Sequence, residues 1–290
     1  MTTRQIGGRE FDFERQVAVM AVVNRTPDSF YDKGATFVLE SAVAAAVRAA
    51  DQGADWVDIG GVPFGRGPAV SLQEELDRVV PVVAGIAERS DVVISVDTTR
   101  AEVARASIAE GASVVNDTSG LQDPGMLDVV ASSSAQLVIT HSMGAPRSEP
   151  IRPEYDDVVA TVVEYLRGRV ERALAAGVPA ERIVVDPGHD LNKNTLHTLE
   201  LTRRLGEVAA LGYPVLAAVS NKDFVGETLD RPQGQRLEGS LAAAVICILN
   251  GARIVRMHDV REAVDAVRLT EAVLGWRAPP HLRHNVEPAA

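Results

Sequence analysis

The chain has 290 residues, 46% of them hydrophobic and 24% charged, a composition that supports a large buried core and excludes a disordered or fibrous protein. Its 29 basic and 40 acidic residues give a net charge of −11, which argues against a general nucleic-acid binder or a binder of anionic membranes. No stretch approaches the roughly 20 apolar residues that span a bilayer, so we expect no membrane segment.

The compartment is predicted from two features. The N-terminal segment has no apolar stretch typical of a secretion signal, and Cys247, the single cysteine, cannot form an intramolecular disulfide. Both features predict a cytoplasmic protein. Because Cys247 lies in the apolar run 241–249, we interpret it as a core residue rather than a nucleophile.

Short runs rich in β-branched residues alternate with longer segments of helical period along most of the chain. The runs predicted as strands are 17–23, 56–59, 92–96, 113–115, 137–139, 183–185, 215–219 and 254–255. An amphipathic stretch follows each run, with 38–52 and 155–176 as clear helices. Glycines such as Gly53 and Gly111 precede several strands, where a helix commonly ends on a left-handed residue.

Eight consecutive β-then-α units predict a single (β/α)8 TIM barrel, with a doubly wound open sheet as the alternative. No domain boundary is visible inside this repeat. We expect residues 1–16 to form a short N-terminal cover, residues 17–275 the barrel and residues 276–290 a C-terminal tail.

The active site of such a barrel lies at the carboxyl ends of its strands, and here these ends are unusually polar. The residues predicted there are Asn24, Asp58, Gly60, Gly61, Asp97, Thr98, Asn116, Asp117, His141, Asp186, Ser220, Asn221, Lys222, Arg256 and His258. Asp58, Asp117 and Asp259 are interpreted as helix caps or turn residues, because aspartates at strand ends commonly have that role.

The remaining polar residues divide into two candidate groups. Asp97, Asn116, Asp186 and Lys222 suit a flat heterocycle that carries both N–H donors and carbonyl acceptors. Arg256, together with His258 and Asn24, suits an anion such as a phosphate, since arginine offers a bidentate fork. The alternative for Arg256 is a surface ion pair with an aspartate.

One segment carries a resemblance to a known family. Asn24-Arg25-Thr26-Pro27-Asp28-Ser29-Phe30 resembles the first loop of dihydropteroate synthases. The order and spacing of that family continue through residues 58–61, 95–98, 116–117, 186–188 and 256–260, so the resemblance covers nearly the whole chain. It implies a transferase that joins p-aminobenzoate to 6-hydroxymethyl-7,8-dihydropterin diphosphate, giving dihydropteroate and pyrophosphate.

The resemblance also implies residue roles, none of them that of a covalent nucleophile. The residues that would hold the pterin are Asp97, Asn116, Asp186 and Lys222, and those that would hold the diphosphate are Asn24, Arg256 and His258. Asn24 would also bind Mg²⁺, while Asp28 and Phe30 would close over the intermediate. The family further implies a homodimer through the last helices, for which the candidate residues are Val245, Ile246, Ile248 and Leu249.

The second loop departs from the family pattern. Where the family usually has Glu-Ser-Thr-Arg-Pro-Gly, this chain has residues 62–68, Val-Pro-Phe-Gly-Arg-Gly-Pro. Phe64 replaces the threonine and Gly65 replaces the arginine, both of which the family places on the p-aminobenzoate and diphosphate side. Arg66 lies one position later and could compensate only if the loop shifts.

Three further positions depart from the pattern near the predicted site. Asn221 replaces the arginine of the strand-seven Ser-Arg-Lys motif. Asp190 stands where a glycine would let the ring approach, so we expect its carboxylate to intrude. Thr140 replaces a methionine and removes apolar contact with the pterin face.

These departures predict a divergent second paralogue with weak or absent synthase activity, because each lost charge-assisted contact costs on the order of 1.5–3 kcal/mol. Two alternatives stay open. The first is a fully active synthase that uses Arg66, which the intact first loop favours. The second is a non-catalytic protein that binds a pterin or aryl-amine ligand. A pterin-binding methyltransferase is disfavoured, because that related group lacks the Thr-Pro-Asp-Ser-Phe loop.

Overall fold

A computed structural model describes residues 3–24, 35–62, 67–144 and 154–285, without the side chains of residues 24 and 35–38. Two short strands open the chain, β1 (Arg4–Ile6) and β2 (Arg9–Phe11). The other strands are β3 (Ala18–Asn24), β4 (Trp56–Gly60), β5 (Val93–Asp97), β6 (Val114–Asp117), β7 (Gln136–Thr140), β8 (Ile183–Asp186), β9 (Val215–Ala217) and β10 (Ala252–Met257).

Helices follow the barrel strands. They are α1 (Ala35–Asp51), α2 (Leu72–Ala87), α3 (Ala101–Ala109), α4 (Met126–Ala131), α5 (Val158–Ala175), α6 (Thr195–Arg203), α7 (Leu205–Ala209), α8 (Asp223–Leu229), α9 (Leu237–Leu249) and α10 (Val260–Val273). Local sequence explains several starts. Ser71 Oγ accepts the N–H of Glu74 before α2, and Asp157 accepts the N–H groups of Val159 and Ala160 before α5, which satisfies donors that a helix leaves free.

Strands β3 to β10 form a closed parallel barrel in chain order, and β10 pairs with both β9 and β3. The predicted (β/α)8 barrel is therefore confirmed, and the open-sheet alternative is wrong. The glycines predicted to end helices have positive φ, for example 98° at Gly53 and 115° at Gly111. No helix in the described ranges is long and apolar enough to cross a membrane.

An N-terminal hairpin, β1 with β2, packs against the amino ends of the barrel strands. Phe11 and Phe13 are buried in the same cluster as Trp56, and the Phe11 and Trp56 rings meet edge to face at 5.9 Å. Arg4 Nη1 donates to the carbonyl of Ile183, the first residue of β8, at 2.8 Å. The sequence did not predict this hairpin. The domain limits at residues 16 and 275 stay predictions.

Candidate active site at the barrel mouth

The inward-facing side chains of the barrel change character along each strand. Near the amino ends they form one apolar cluster that includes Met20, Trp56, Val93, Val114, Val138, Val184, Leu216 and Ile254. Side chains alternate along a strand, so the residue two positions later faces inward again. Those later residues include Asp58, Ser95, Asn116, Thr140, Asp186 and Arg256. The apolar interior thus ends in a polar floor at the mouth.

Asp58 organises this floor. Its side chain is fully buried and accepts hydrogen bonds from Ser95 Oγ at 2.6 Å, Asn116 Nδ2 at 3.1 Å and Arg256 Nε at 2.7 Å. The prediction that Asp58 is a cap or turn residue is wrong, because it lies inside β4 and faces the barrel axis. Its carboxylate instead fixes the orientation of Asn116 and Arg256.

Arg256 is shared between two carboxylates. Besides Asp58, its Nη2 contacts Asp97 Oδ2 at 3.3 Å, while Thr118 Oγ1 donates to Asp97 Oδ1 at 3.3 Å. Burial, and then the Asp58 charge, raise the pKa of Asp97 to about 7. The Arg256, Asp58 and Asp97 cluster therefore carries no net positive charge near neutral pH. Arg256 forms an ion pair, as the alternative held, but the pair lies in the mouth and not on the surface.

Two acceptors remain available to a ligand. Asn116 donates its Nδ2 hydrogen to Asp58, whereas its buried Oδ1 has no partner among the described residues. Asp186 Oδ1 accepts the N–H of Gly188 at 2.7 Å, which leaves its second oxygen for a ligand. Burial raises the pKa of Asp186 to about 6, although the Gly188 N–H and the Lys222 charge oppose that shift.

The turn after β8 directs the Asp190 carboxylate to the start of α8. Asp190 has a φ of 64°, and its Oδ2 accepts the N–H groups of Asp223 at 2.7 Å and Phe224 at 3.3 Å. These N–H groups begin α8. The carboxylate therefore caps α8, and its expected intrusion on a bound ring stays a prediction. Lys222 immediately precedes that helix, and burial lowers the pKa of its ammonium.

Asn221 and Arg236 stabilise the chain around α8. Asn221 has a φ of 57°, its Oδ1 accepts the N–H of Gly234 at 3.2 Å, and its carbonyl accepts from Arg236 Nη1 at 3.1 Å. Arg236 Nη1 also pairs with Asp223 at 2.9 Å. Asn221, which replaces the arginine of the family motif, therefore stabilises a loop. The nearby Arg236 is already paired with Asp223 and the Asn221 carbonyl.

His258 is held by Ser220 at the end of the barrel. Its backbone N–H donates to Ser220 Oγ at 3.1 Å, and its Nδ1 lies 3.0 Å from the same oxygen. Since this oxygen accepts the backbone N–H, its own proton suits Nδ1, which leaves Nε2 as the donor. An exposed His258 with an Nε2–H group can meet an anion.

Thr140 ends β7, and His141 follows it with its side chain on the opposite side. His141 Nδ1 lies 2.9 Å from Lys193 Nζ, and its ring meets the Tyr165 ring edge to face at 4.7 Å. Burial and the Lys193 charge lower the pKa of His141 to about 3, and burial lowers that of Lys193 to about 7. His141 therefore belongs to the layer between strands and helices, whereas Thr140 faces the barrel axis.

Other predicted residues have separate outcomes. Asp117 Oδ1 accepts the N–H of Ser119 at 2.8 Å, so its predicted turn role is confirmed, whereas Asp259 makes no side-chain cap bond. Cys247 is fully buried, and burial raises the pKa of its thiol to about 12, as expected of a core residue. Predicted positions outside the described residues are Asp28, Phe30, Phe64, Gly65, Arg66 and the side chain of Asn24.

Sequence reasoning missed Ser95 and Glu75 as members of the polar network. Ser95 donates to Asp58. The alternation of side chains in β5 places Val93, Ser95 and Asp97 on one face, and this pattern could have predicted its inward direction. Glu75 is buried on α2, where it accepts from Thr98 Oγ1 at 2.6 Å and pairs with Arg100 at 2.9 Å. No local pattern signals Glu75, because its partners come from another unit of the barrel.

The (β/α)8 barrel and a mouth that combines carboxylate and amide acceptors with a lysine define a barrel with a site for a polar heterocycle. The sequence pattern of the family described as pterin binding enzyme matches residues 20–258. The chain belongs to this family, within its dihydropteroate synthase branch.

Two relatives illustrate the range of that branch. The chain is 45% identical over 278 residues to a Mycobacterium leprae protein named inactive dihydropteroate synthase 2, covering 94% of this chain and 95% of the relative. It is 42% identical over 257 residues to the dihydropteroate synthase of Escherichia coli K12, covering 88% of this chain and 91% of the relative.

Solved structures match over the whole barrel. The dihydropteroate synthase of Xanthomonas albilineans with 4-aminobenzoic acid superposes with a TM-score of 0.87 at 40% identity, covering 94% of this chain and 98% of the other. The same enzyme in complex with 7,8-dihydropteroate gives a TM-score of 0.85 at 39% identity, covering 94% and 99%.

Proposed function

We propose that this dihydropteroate synthase homologue binds a reduced pterin at the barrel mouth and has weak or absent synthase activity. The main support is a contrast between the floor of the barrel mouth and its rim at α8. The floor keeps the acceptors Asn116 and Asp186, whereas the rim at α8 has Asn221 in place of an arginine and Asp190 on its first N–H groups.

The floor suits a pterin because of its donors and acceptors. Asn116 Oδ1 and the second oxygen of Asp186 are acceptors that face a ring with several N–H groups. Lys222 adds a cation for a ring carbonyl or nitrogen. Asp97, with a pKa raised to about 7 by burial, supplies a further acceptor when it is ionised.

The rim does not suit an anionic second substrate. Loss of one charge-assisted contact costs about 1.5–3 kcal/mol, and loss of a transition-state donor costs about 10²–10³ in rate. The N–H donors at the start of α8 are already taken by Asp190. A relative of nearly equal length named as inactive supports the same proposal.

Arg256 and His258 are the residues left to bind the diphosphate. Arg256 is flanked by Asp58 and Asp97, so it offers an incoming diphosphate less positive charge than a free guanidinium would. His258 contributes one N–H donor. This weak charge supports slow departure of a diphosphate leaving group, since that step relies on electrostatic stabilisation.

Magnesium is implied by the family through Asn24. Within the described ranges no three histidine, cysteine or acidic side chains form a metal-binding group, and Asp58 and Asp97 already pair with Arg256. The side chain of Asn24 lies outside the described residues, so its magnesium role stays what the family implies, and we assign no step to the ion.

The ligands, the assembly and the compartment are part of the proposal. An aryl amine is the second ligand class, supported by the Xanthomonas albilineans enzyme solved with 4-aminobenzoic acid. A homodimer is supported by exposed Ile246 and Leu249 on α9. Ile248 is 1% exposed, so its predicted place on that face is wrong. The lone buried Cys247 supports a cytoplasmic location.

The test measures chemistry and binding separately. Turnover of p-aminobenzoate with 6-hydroxymethyl-7,8-dihydropterin diphosphate and Mg²⁺ is compared with that of an active synthase, and each ligand is titrated by calorimetry. We expect pterin binding, which Asp186→Asn weakens, with turnover reduced at least 10²-fold. Ordinary turnover would favour the fully active alternative, and Arg66→Ala would then test the shifted cation. Absence of pterin binding would overturn the proposal.

A further inference from the structure

Thr140 places a hydroxyl on the floor of the mouth that the described protein does not satisfy. The residue is fully buried, and its Oγ1 has no hydrogen-bond partner within the described ranges. Because Val138 lies in the inner apolar cluster, Thr140, two positions later, also faces the barrel axis. Burial of a hydroxyl without a hydrogen-bond partner costs free energy, which suggests that a ligand supplies the missing partner.

The neighbours of Thr140 show what this hydroxyl faces. Strands β6, β7 and β8 are adjacent, Asn116 precedes Thr140 around the barrel, and Thr140 pairs in register with Asp186. Asn116 Oδ1 is also buried without a partner among the described residues. Asp186 uses one oxygen on Gly188 N–H and keeps the other. Three adjacent strands therefore direct unused polar atoms to one place.

These atoms differ in what they can do. Asn116 Oδ1 and the ionised Asp186 can only accept hydrogen bonds, whereas the Thr140 hydroxyl can donate one. A ring with N–H donors satisfies the first two atoms, and an acceptor on the same ring satisfies the third. Reduced pterins carry such an edge, in which ring nitrogen N1 lies between the 2-amino group and N8–H.

We infer that Thr140 is a specificity-determining residue, whose hydroxyl donates a hydrogen bond to the heterocycle bound at the mouth. The inference rests on the proposed function, because it assumes that a reduced pterin occupies this site. It adds a contact that selects for a ring acceptor beside N–H donors. A site built around a hydroxyl discriminates against ligands that leave the hydroxyl unpaired.

The test uses Thr140→Val, which keeps the shape and removes the hydroxyl, and Thr140→Ser, which keeps the hydroxyl. Binding of 6-hydroxymethyl-7,8-dihydropterin is measured by calorimetry, and thermal unfolding is followed with and without this ligand. We expect Thr140→Val to bind about tenfold more weakly while its unliganded Tm stays equal or rises. Thr140→Ser should bind nearly as the natural chain does.

Ser107→Ala is the matched control. Ser107 lies on α3, is fully buried and also has a hydroxyl without a partner in the described part of the chain. Its removal should leave pterin binding unchanged. Equal binding by Thr140→Val and the natural chain would overturn the inference, as would weakened binding by Ser107→Ala or a lowered Tm that accounts for the loss. Absence of pterin binding by the natural chain would instead overturn the proposed function and this inference together.

Discussion

Arg256 Nε and Asp58 Oδ2 are 2.7 Å apart at the centre of the barrel mouth, and the carboxylate is fully buried. Asp58→Asn should lower the free energy of unfolding by about 3 kcal/mol, because removal of one partner leaves a buried charge poorly compensated. Urea denaturation measures this loss. Asp259→Asn is the control, since Asp259 is exposed and makes no side-chain cap bond. A loss under about 0.5 kcal/mol in Asp58→Asn would contradict the role of Asp58 as organiser.

The raised pKa of Asp97 predicts a pH-dependent stability. The folded chain holds this proton up to about pH 7, whereas the ordinary pKa is 3.8, so the contribution to stability is lost as pH rises through that range. Relative to Asp97→Asn, the natural chain should lose on the order of 1 kcal/mol of unfolding free energy between pH 5 and pH 8.

Comparison with the variant at each pH cancels the opposite effect of the buried histidines. Burial lowers the pKa of His141 and His189 to about 3, so both destabilise the folded chain in acid. Their effect is common to the two proteins. A difference between them that does not change from pH 5 to pH 8 would show that Asp97 is ionised throughout.

Asp190 predicts a capping effect on α8. Asp190→Ala removes the acceptor for two N–H groups. Alanine also tolerates the left-handed φ of 64° at this position less well than aspartate does. We expect a loss of about 2 kcal/mol, from the lost cap and the backbone strain together. Asp190→Asn keeps an acceptor and tolerates that conformation, so it should lose less than half as much. Equal losses in chemical denaturation would refute the capping role.

Gly188 predicts a severe steric effect. Its φ is 69°, and an added Cβ would lie 2.2 Å from the carbonyl oxygen of His141. Gly188→Ala should therefore cost about 3 kcal/mol or more and weaken pterin binding through displacement of Asp186. Gly212→Ala separates the two causes, because Gly212 has a φ of 86° with no atom within 4 Å of the added Cβ. The control should lose only about 1 kcal/mol.

The exposed apolar face of α9 and α10 predicts self-association. Ile246 is 46% exposed and Leu249 is 60% exposed, and α10 adds Leu269 and Val273. Exposed apolar side chains on two helices that pack together are typical of an interface. Sedimentation velocity should show a dimer that Leu249→Glu dissociates. Leu196→Glu, at a still more exposed leucine on α6, should leave it intact, and a natural chain that sediments as a monomer would exclude the dimer.

The sequence predicted the barrel because its repeat has local signals. All eight predicted strands coincide with observed strands to within a few residues, and glycines such as Gly53 mark the helix ends. The hairpin of β1 and β2 was missed because each strand has only three residues. Its stability comes from Phe11 and Phe13 packing into the barrel, which is a tertiary effect.

The site was predicted less completely. Position after a strand brought Asp97, Asn116, Asp186 and Lys222 to one mouth, but it did not show the direction of each side chain. The partners of Asp58 come from three other strands, and the helix that Asp190 caps begins 33 residues further along the chain. Contacts between distant segments decide both cases.

The alternation of inward and outward side chains has an evolutionary consequence. If one residue were inserted within β4, Val57 or Ile59 would replace Asp58 at the barrel axis, and every later contact of that strand would change. Strand-borne members of the site can therefore change only by substitution, one residue at a time. The connecting segments tolerate changes of length and composition. Divergence should then alter the rim first, and the floor formed by the strand residues should change last.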